Sequence, residues 1–371
     1  MFKTFSLRRF DFLLVLSIAA LNMIGIAAIA SAQKELVNRQ VQGMILGIAA
    51  MLVVSLFDYT RLLKFYWIGY LVNIALLALV LIMGSTGGGA QRWIEIGGIT
   101  FQPSEASKIL LILFYAQFIM KQRNKMKSMI TVGLCLILAV PPLLLVYRQP
   151  DLSTTIMTFV LICVMMFIGG ISLKLVAAVL LVSIPSVIIF FVMVLQEGQT
   201  ILDSYQQLRI LAWLHPEDYT SSYSYQTMNS IMAIGSGQLM GKGYNTNEIS
   251  SLLNSGYISE SQTDFIFTVI GEEFGFVGGC TVIILLAVIS IQLFMIARST
   301  KYTAGSLIAA GMGTWIGFQG FMNIGVATGI LPNTGIPLPF VSYGLTSLLV
   351  LYIGIGFVLN IRMQNKLTDP S

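Results

Sequence analysis

Ten apolar runs alternate with short polar breaks along the chain, at 12–32, 41–57, 62–83, 104–120, 129–147, 152–170, 172–195, 264–297, 304–329 and 343–361. Each is close to the roughly 20 residues that a helix needs to cross hydrocarbon. The runs are continuous rather than alternating, which excludes a β-barrel, and backbone groups facing lipid must then be satisfied within helices. The pattern predicts an all-α, polytopic integral membrane protein of about ten transmembrane helices. It forms one domain over 1–371, with a large extracytoplasmic loop at 196–263 between the seventh and eighth helices.

Composition agrees, because 56% of the 371 residues are hydrophobic and only 10% charged, with a mean hydropathy of +0.84, a surface no soluble domain of this size could carry. Charge then sets the orientation. With the N-terminus inside, the cytoplasmic face collects Lys3, Arg8, Arg9, Arg61, Lys64, Lys121, Arg123, Lys125, Lys127, Lys174, Arg298, Lys301, Arg362 and Lys366, which are 14 of the 21 basic residues. Only Asp11, Asp58 and Asp369 among the 16 carboxylates fall there. Both termini are therefore expected in the cytoplasm, and the net charge of +5 reflects topology and anionic lipid rather than nucleic acid. Ala30-Ser31-Ala32 has the look of a signal-peptide cleavage site, but the preceding segment is long for one and its removal would spoil the even number of crossings. Cys135, Cys163 and Cys280 are scattered through apolar helices and suggest neither a disulfide framework nor a metal cluster.

Three outer loops stand out. The longest, 196–263, holds the only histidine, His215, with Tyr219, Tyr223 and Tyr225, and its stretches Tyr205–Trp213 and Tyr225–Ala233 read as short interfacial helices with aromatic anchors. A glycine-rich loop at 84–103 embeds Gln91-Arg92-Trp93. The loop 331–342 contains three prolines, which forbid a continuous helix near membrane depth. Such irregular backbone is tolerated only where protein or water covers it, so this loop is expected to re-enter against the bundle and border a cavity.

Ionisable groups inside apolar helices are costly and are candidates for function. Glu105 and Lys108 stand three apart on one face of the fourth helix, where they pair either as an internal packing tie or as a contact for substrate. Asp151 follows Arg148-Gln149-Pro150 at a helix start, as a cap or as a site residue. Asp264 lies where the long loop enters the eighth helix. It is either an N-cap or a sheltered carboxylate kept ionised by the helix dipole, as a general base for a sugar hydroxyl must be. Glu272 and Glu273 follow, facing different ways, so at least one must meet water, a cation or a basic partner. Arg92, Lys108, Arg148, Arg209 and Lys242 lie on the same side and together suit a pyrophosphate. Neither a P-loop nor a dinucleotide fingerprint is present, so transport driven by ATP within this chain is not expected.

Thr263-Asp264-Phe265-Ile266-Phe267, Gly271-Glu272-Glu273-Phe274-Gly275 and the run from Pro332 to Gly344 (Pro-Asn-Thr-Gly-Ile-Pro-Leu-Pro-Phe-Val-Ser-Tyr-Gly) resemble the SEDS family (shape, elongation, division and sporulation), its RodA branch more than its FtsW branch. The likeness covers nearly the whole chain, including Gln102-Pro103-Ser104-Glu105 with Lys108, and Gln149-Pro150-Asp151. It implies a peptidoglycan glycosyltransferase that polymerises lipid II, an undecaprenyl-pyrophosphate-linked disaccharide peptide, on the outer face of the bacterial cytoplasmic membrane during cell elongation. A class B penicillin-binding protein and other membrane proteins of the elongation machinery would be its partners. The resemblance makes Asp264 the catalytic residue and Glu105, Lys108 and Asp151 polar sites of the central cavity, with Arg209 and Lys242 matching less cleanly. Two positions depart from the family pattern: Gln262 replaces a histidine before Thr-Asp, and Leu345 replaces a glycine after Ser-Tyr-Gly.

On that footing Asp264 would take the proton of an acceptor GlcNAc 4-hydroxyl as it attacks the donor's anomeric carbon and undecaprenyl pyrophosphate leaves. An α-linked donor then gives a β-1,4 bond by one inversion, with no second nucleophilic carboxylate. The leaving group's charge calls either for the basic residues or for a divalent cation, Mg2+ or Mn2+, held by carboxylates. Two other readings share the helices and charges: a flippase for a lipid-linked precursor and a non-catalytic scaffold. No paired broken segments mark an alternating-access carrier, and the charges gather on one face.

Overall fold

The structure is a computed structural model that describes residues 9–87, 90–96, 99–177, 181, 185, 193, 204–219, 223–245 and 260–364. The chain is a helical, multi-pass membrane protein. Its elements in order are α1 (Phe12–Ala32), α2 (Val37–Leu56), α3 (Tyr59–Leu63), α4 (Tyr66–Met83), β1 (Ser85–Gly87), β2 (Ala90–Ile96), β3 (Ile99–Phe101), α5 (Pro103–Lys121), α6 (Met129–Arg148), α7 (Leu152–Ile168), α8 (Ser204–Leu214), α9 (Tyr223–Ser236), α10 (Ile266–Ser299), α11 (Thr303–Ala327) and α12 (Leu345–Gln364). Among the described residues six helices are long and apolar enough to cross a bilayer. The predicted run 172–195 lies largely outside the described residues, as do 196–203, 220–222 and 246–259 of the long loop. The two interfacial helices expected in that loop are α8 and α9.

The glycine-rich stretch at 84–103 is not the plain loop the sequence suggested. It folds as a three-stranded antiparallel sheet in the order β1-β2-β3, with Thr86 opposite Gln91 and Ile94 opposite Phe101. Trp93 and Ile94 sit in the middle strand, β2. The Thr346 hydroxyl donates to the Thr100 carbonyl at 2.9 Å, tying this hairpin to the start of α12.

The buried centre is α11, packed on α5, α7, α10 and α12. With lipid outside, helices gain little from apolar burial and associate by close packing instead, which favours small residues; α11 presents Ala309, Ala310, Gly311 and Gly313. The loop 331–343 folds back as expected, with Ile336, Leu338, Phe340 and Val341 buried. Space for it comes from Gly25 of α1, where a Cβ would stand 2.6 Å from the Val341 carbonyl oxygen.

The helix predicted as one run at 264–297 is broken. Gly275 has φ 63° and ψ −158° inside α10, which parts the two helical bonds from Phe276 to Glu272 and from Val277 to Glu273. Residues 238–243 enter the gap and satisfy all four groups. Lys242 N–H donates to the Glu272 carbonyl (2.9 Å) and Gly243 N–H to that of Glu273 (3.1 Å), while Phe276 and Val277 N–H donate to the carbonyls of Gln238 (2.8 Å) and Leu239 (3.2 Å). In lipid each orphaned group would cost several kcal/mol, so the break exists only because this loop fills it. A Cβ at Gly275 would lie 2.4 Å from the Gly241 nitrogen, and the backbone strain alone is worth about 1–3 kcal/mol. Gly275→Ala should therefore lower the melting temperature in detergent by several degrees. Gly133→Ala, at a helix position with nothing within 4 Å, should leave it unchanged or slightly raised.

Candidate functional site

Asp264 lies in a turn ahead of α10, not in the helix, and Phe265 stands at the cap with no side-chain capping bond. The N-cap reading of Asp264 therefore does not hold. Its peptide is gripped along its length instead. The carbonyl of Gln262 accepts from Tyr343 N–H at 2.9 Å, that of Thr263 from the Ser342 hydroxyl at 2.6 Å, and that of Asp264 from Asn323 Nδ2 at 2.7 Å. Three consecutive carbonyls are thus held by the re-entrant loop and α11. Burial pushes the Asp264 carboxyl up to about 6; Glu260 adds to the rise, Arg209 and Arg92 oppose it, and Asp151 raises it slightly further.

The cations reach this carboxylate from separate elements. Oδ2 of Asp264 is 3.2 Å, and Nη1 of Arg209 in α8 is 3.7 Å, from where a Cβ on Gly335 would stand. Glycine, with φ 68°, is what lets the loop pass between them. Arg209 also donates to the Asn333 carbonyl at 3.2 Å. Arg92, in β2, lies 3.9 Å from Asp151 and donates to the carbonyls of Gln149 and Pro150. Asp151 at the same time caps α7, accepting from Thr154 N–H at 3.0 Å, so the capping reading of this residue is realised while its other oxygen faces Arg92. Beside Arg209 a cavity of about 90 Å³ is walled by Trp213, Met228, Ile231, Gly329 and Asn333. The Asn333 Oδ1 and Thr334 hydroxyl nearby are buried without a partner among the described residues, which is unusual for polar atoms in a finished core.

Glu105 and Lys108 do pair, at 2.6 Å, and are 3% and 1% exposed. The pair belongs to a wider network. Lys108 Nζ also donates to Gln319 Oε1 at 3.0 Å and lies 4.7 Å from the Trp315 ring centre. Ser347 donates to the other Glu105 oxygen at 3.0 Å, and Trp315 Nε1 donates to Gln319 at 2.6 Å. Gln319 in turn donates to the Pro337 carbonyl at 2.8 Å. The pair thus reaches the loop beside Asp264 through Gln319 and is itself enclosed.

Lys242, grouped with the pyrophosphate cations, is paired with the fully buried Glu272 at 2.9 Å. Glu273 takes a hydrogen bond from Ser31 of α1 and another from Asn245 N–H at 3.1 Å, so both carboxylates of this helix do meet polar partners. Arg148 ends α6 exposed to solvent. The structure therefore gathers Asp264, Arg209, Arg92 and Asp151, and sets Lys242 with Glu272 in a separate pair at the α10 break. Among the described residues no three His, Cys, Asp or Glu side chains come together as a metal site.

Sequence reasoning passed over Gln319, Asn323 and Ser342. The signal was there for the first two: amides four apart on one face of a mostly apolar helix are costly to leave unpaired in a bilayer and need partners.

The profile of the FtsW/RodA/SpoVE cell cycle protein family matches residues 2–367. The peptidoglycan glycosyltransferase MrdB of Escherichia coli K12 is 36% identical over 309 residues, 82% of this chain and 80% of its own. A probable peptidoglycan glycosyltransferase FtsW of Haemophilus influenzae is 32% identical over 312 residues, 80% and 73% of the two chains. Among solved structures, a chain from a peptidoglycan synthase complex that coordinates polymerisation and crosslinking matches with a TM-score of 0.80 at 26% identity, over 97% of this chain and 99% of that one. The rod shape determining protein RodA of Thermus thermophilus matches with a TM-score of 0.68 at 26% identity, over 97% and 98%.

Proposed function

The chain belongs to the FtsW/RodA/SpoVE cell cycle protein family, and on that footing we propose that it is a peptidoglycan glycosyltransferase, polymerising lipid II on the outer face of the bacterial cytoplasmic membrane during cell elongation. The observation that carries this reading is the buried carboxylate of Asp264, left out of capping, with a pKa of about 6 that leaves it ionised at neutral pH, and opposed by Arg209 and Arg92. In this reading the whole chain is one membrane domain with both termini in the cytoplasm, and it works beside a class B penicillin-binding protein and other membrane proteins of the elongation machinery.

Asp264 takes the proton from the acceptor's sugar hydroxyl as the oxygen attacks the donor's anomeric carbon, and the lipid pyrophosphate departs with the bond electrons. Arg209 and Arg92 meet the charge that develops on the leaving group. The cavity next to Arg209 offers an apolar wall of Trp213, Met228 and Ile231, which suits an amphiphile whose charged head lies at the arginines. The Asn333 and Thr334 oxygens, without a partner among the described residues, offer hydrogen bonds to a sugar. A flippase would need polar groups along the whole crossing, whereas the gathered charges sit at the end of the bundle that carries the hairpin.

Purified protein with its penicillin-binding partner should turn labelled lipid II into glycan strands. A base must be ionised, and the Asp264 carboxyl sits at about 6. The rate should therefore be flat above pH 7, fall as the pH drops through 6, and below that decline about tenfold per pH unit. Translocation of lipid II across vesicles without any polymer would instead establish the flippase.

A further inference from the structure

Asn323 of α11 has no place in the chemistry just described, yet it touches both halves of the site. Its Nδ2 donates to the Asp264 carbonyl at 2.7 Å and to the Ile336 carbonyl at 2.7 Å, so both amide hydrogens are spent. The orientation is forced, because the reverse would set Oδ1 against two carbonyl oxygens. The side chain is 1% exposed, and its Oδ1 is buried without a partner among the described residues. A purely structural amide would be expected to use both ends; this one is spent entirely on donation. One turn earlier, Gln319 makes the parallel contact to the Pro337 carbonyl. Two successive carbonyls of the re-entrant loop are thus fixed to one face of α11, and one of the two amides reaches across to the peptide of Asp264.

We infer that Asn323 is a positioning residue for the general base: by joining the Asp264 and Ile336 carbonyls through one rigid amide, it sets the distance between the carboxylate and the loop past which Arg209 reaches. The inference rests on the proposed glycosyltransferase activity. Asn323 touches no substrate. It acts through Asp264, whose side chain stands on a peptide that the amide holds, and through Gly335, the residue before Ile336, around which Asp264 and Arg209 approach. Its partners in the task are Ser342, which donates to Thr263 and accepts from Leu338 N–H at 2.7 Å, and Tyr343, whose N–H holds Gln262. Of these contacts only Asn323 bonds the two segments at once through a side chain from a membrane helix.

The test compares wild type, Asn323→Leu and Ser342→Ala, each purified with the penicillin-binding partner, by two readouts. The first is polymerisation of labelled lipid II across a range of concentrations. Asn323→Leu should lower kcat by roughly 10²-fold, the scale expected for an ångström of misplacement, with KM for lipid II within about twofold. The second is hydrogen exchange, which should quicken together at 262–268 and 333–340 while β2 and α4 keep wild-type rates. A loss carried by KM with kcat unchanged would overturn the inference, as would unchanged exchange at the two segments. Should Asn323→Leu fail to fold, Asn323→Ala, which removes the amide without adding bulk, decides by the same two readouts with the same kcat loss expected, and Ser342→Ala serves as the comparison that leaves the amide in place. Wild type that makes no strand would sink the glycosyltransferase reading, and the paired change in exchange alone would then decide whether Asn323 joins the two segments.

Discussion

Asp264→Asn should give a folded protein that still binds lipid II but polymerises it about 10²–10⁴-fold more slowly. The substitution keeps the shape of the side chain and leaves the main-chain grip intact, because Asn323, Ser342 and Tyr343 all hold carbonyls rather than the carboxylate. Nor does the side chain cap α10, so the helix loses nothing. What disappears is the proton acceptor, a contribution of about 10²–10⁴-fold for one positioned base. Removing its charge also leaves Arg209 and Arg92 less opposed, so binding of the anionic lipid should hold or tighten. The check is strand formation from labelled lipid II alongside melting temperature and lipid II binding; product equal to wild type would take Asp264 out of the mechanism.

Lys108→Ala should be the most destabilising single change at the centre of the bundle. It strands Glu105 as a charge that is 3% exposed and takes a donor from Gln319. Breaking one side of a buried pair costs about 3–5 kcal/mol, whereas replacing both partners by neutral groups of similar volume is far milder. Thermal unfolding in detergent should show a large drop for Lys108→Ala and recovery of most of it in the Glu105→Gln/Lys108→Met double variant. The outcome also separates the two roles the sequence left open. If Lys108→Ala melts like wild type but binds lipid II weakly, the lysine contacts substrate; if stability collapses, it is a tie within the packing.

Much of the architecture was legible because hydrocarbon permits few solutions. Apolar runs near 20 residues gave α1, α6 and α12 nearly to the residue, and the cost of charge in lipid singled out Glu105, Lys108 and Glu272. The three prolines of 331–342 announced irregular backbone that had to be buried. Local periodicity failed where tertiary contacts overrule it. The alternation in Ala90–Ile96 is short and hidden among glycines, so a strand passed for a loop. Nothing in the apolar run from Ile266 shows that Gly275 leaves the helix, since the cause lies some 35 residues upstream in the segment that enters the gap. The site was half readable for a similar reason. Charges advertise themselves, but the amides that hold the Asp264 peptide are neutral, and their meaning depends on which carbonyls they meet in space.

The broken helix has a consequence for biogenesis. A straight α10 satisfies the carbonyls of Glu272 and Glu273 and the N–H groups of Phe276 and Val277 with two bonds inside itself; the opened form needs four bonds to residues 238–243. A translocating segment cannot leave those groups bare in lipid. The straight form is thus the one able to enter the bilayer, and the opened form belongs to a later stage, once the preceding loop has folded against it.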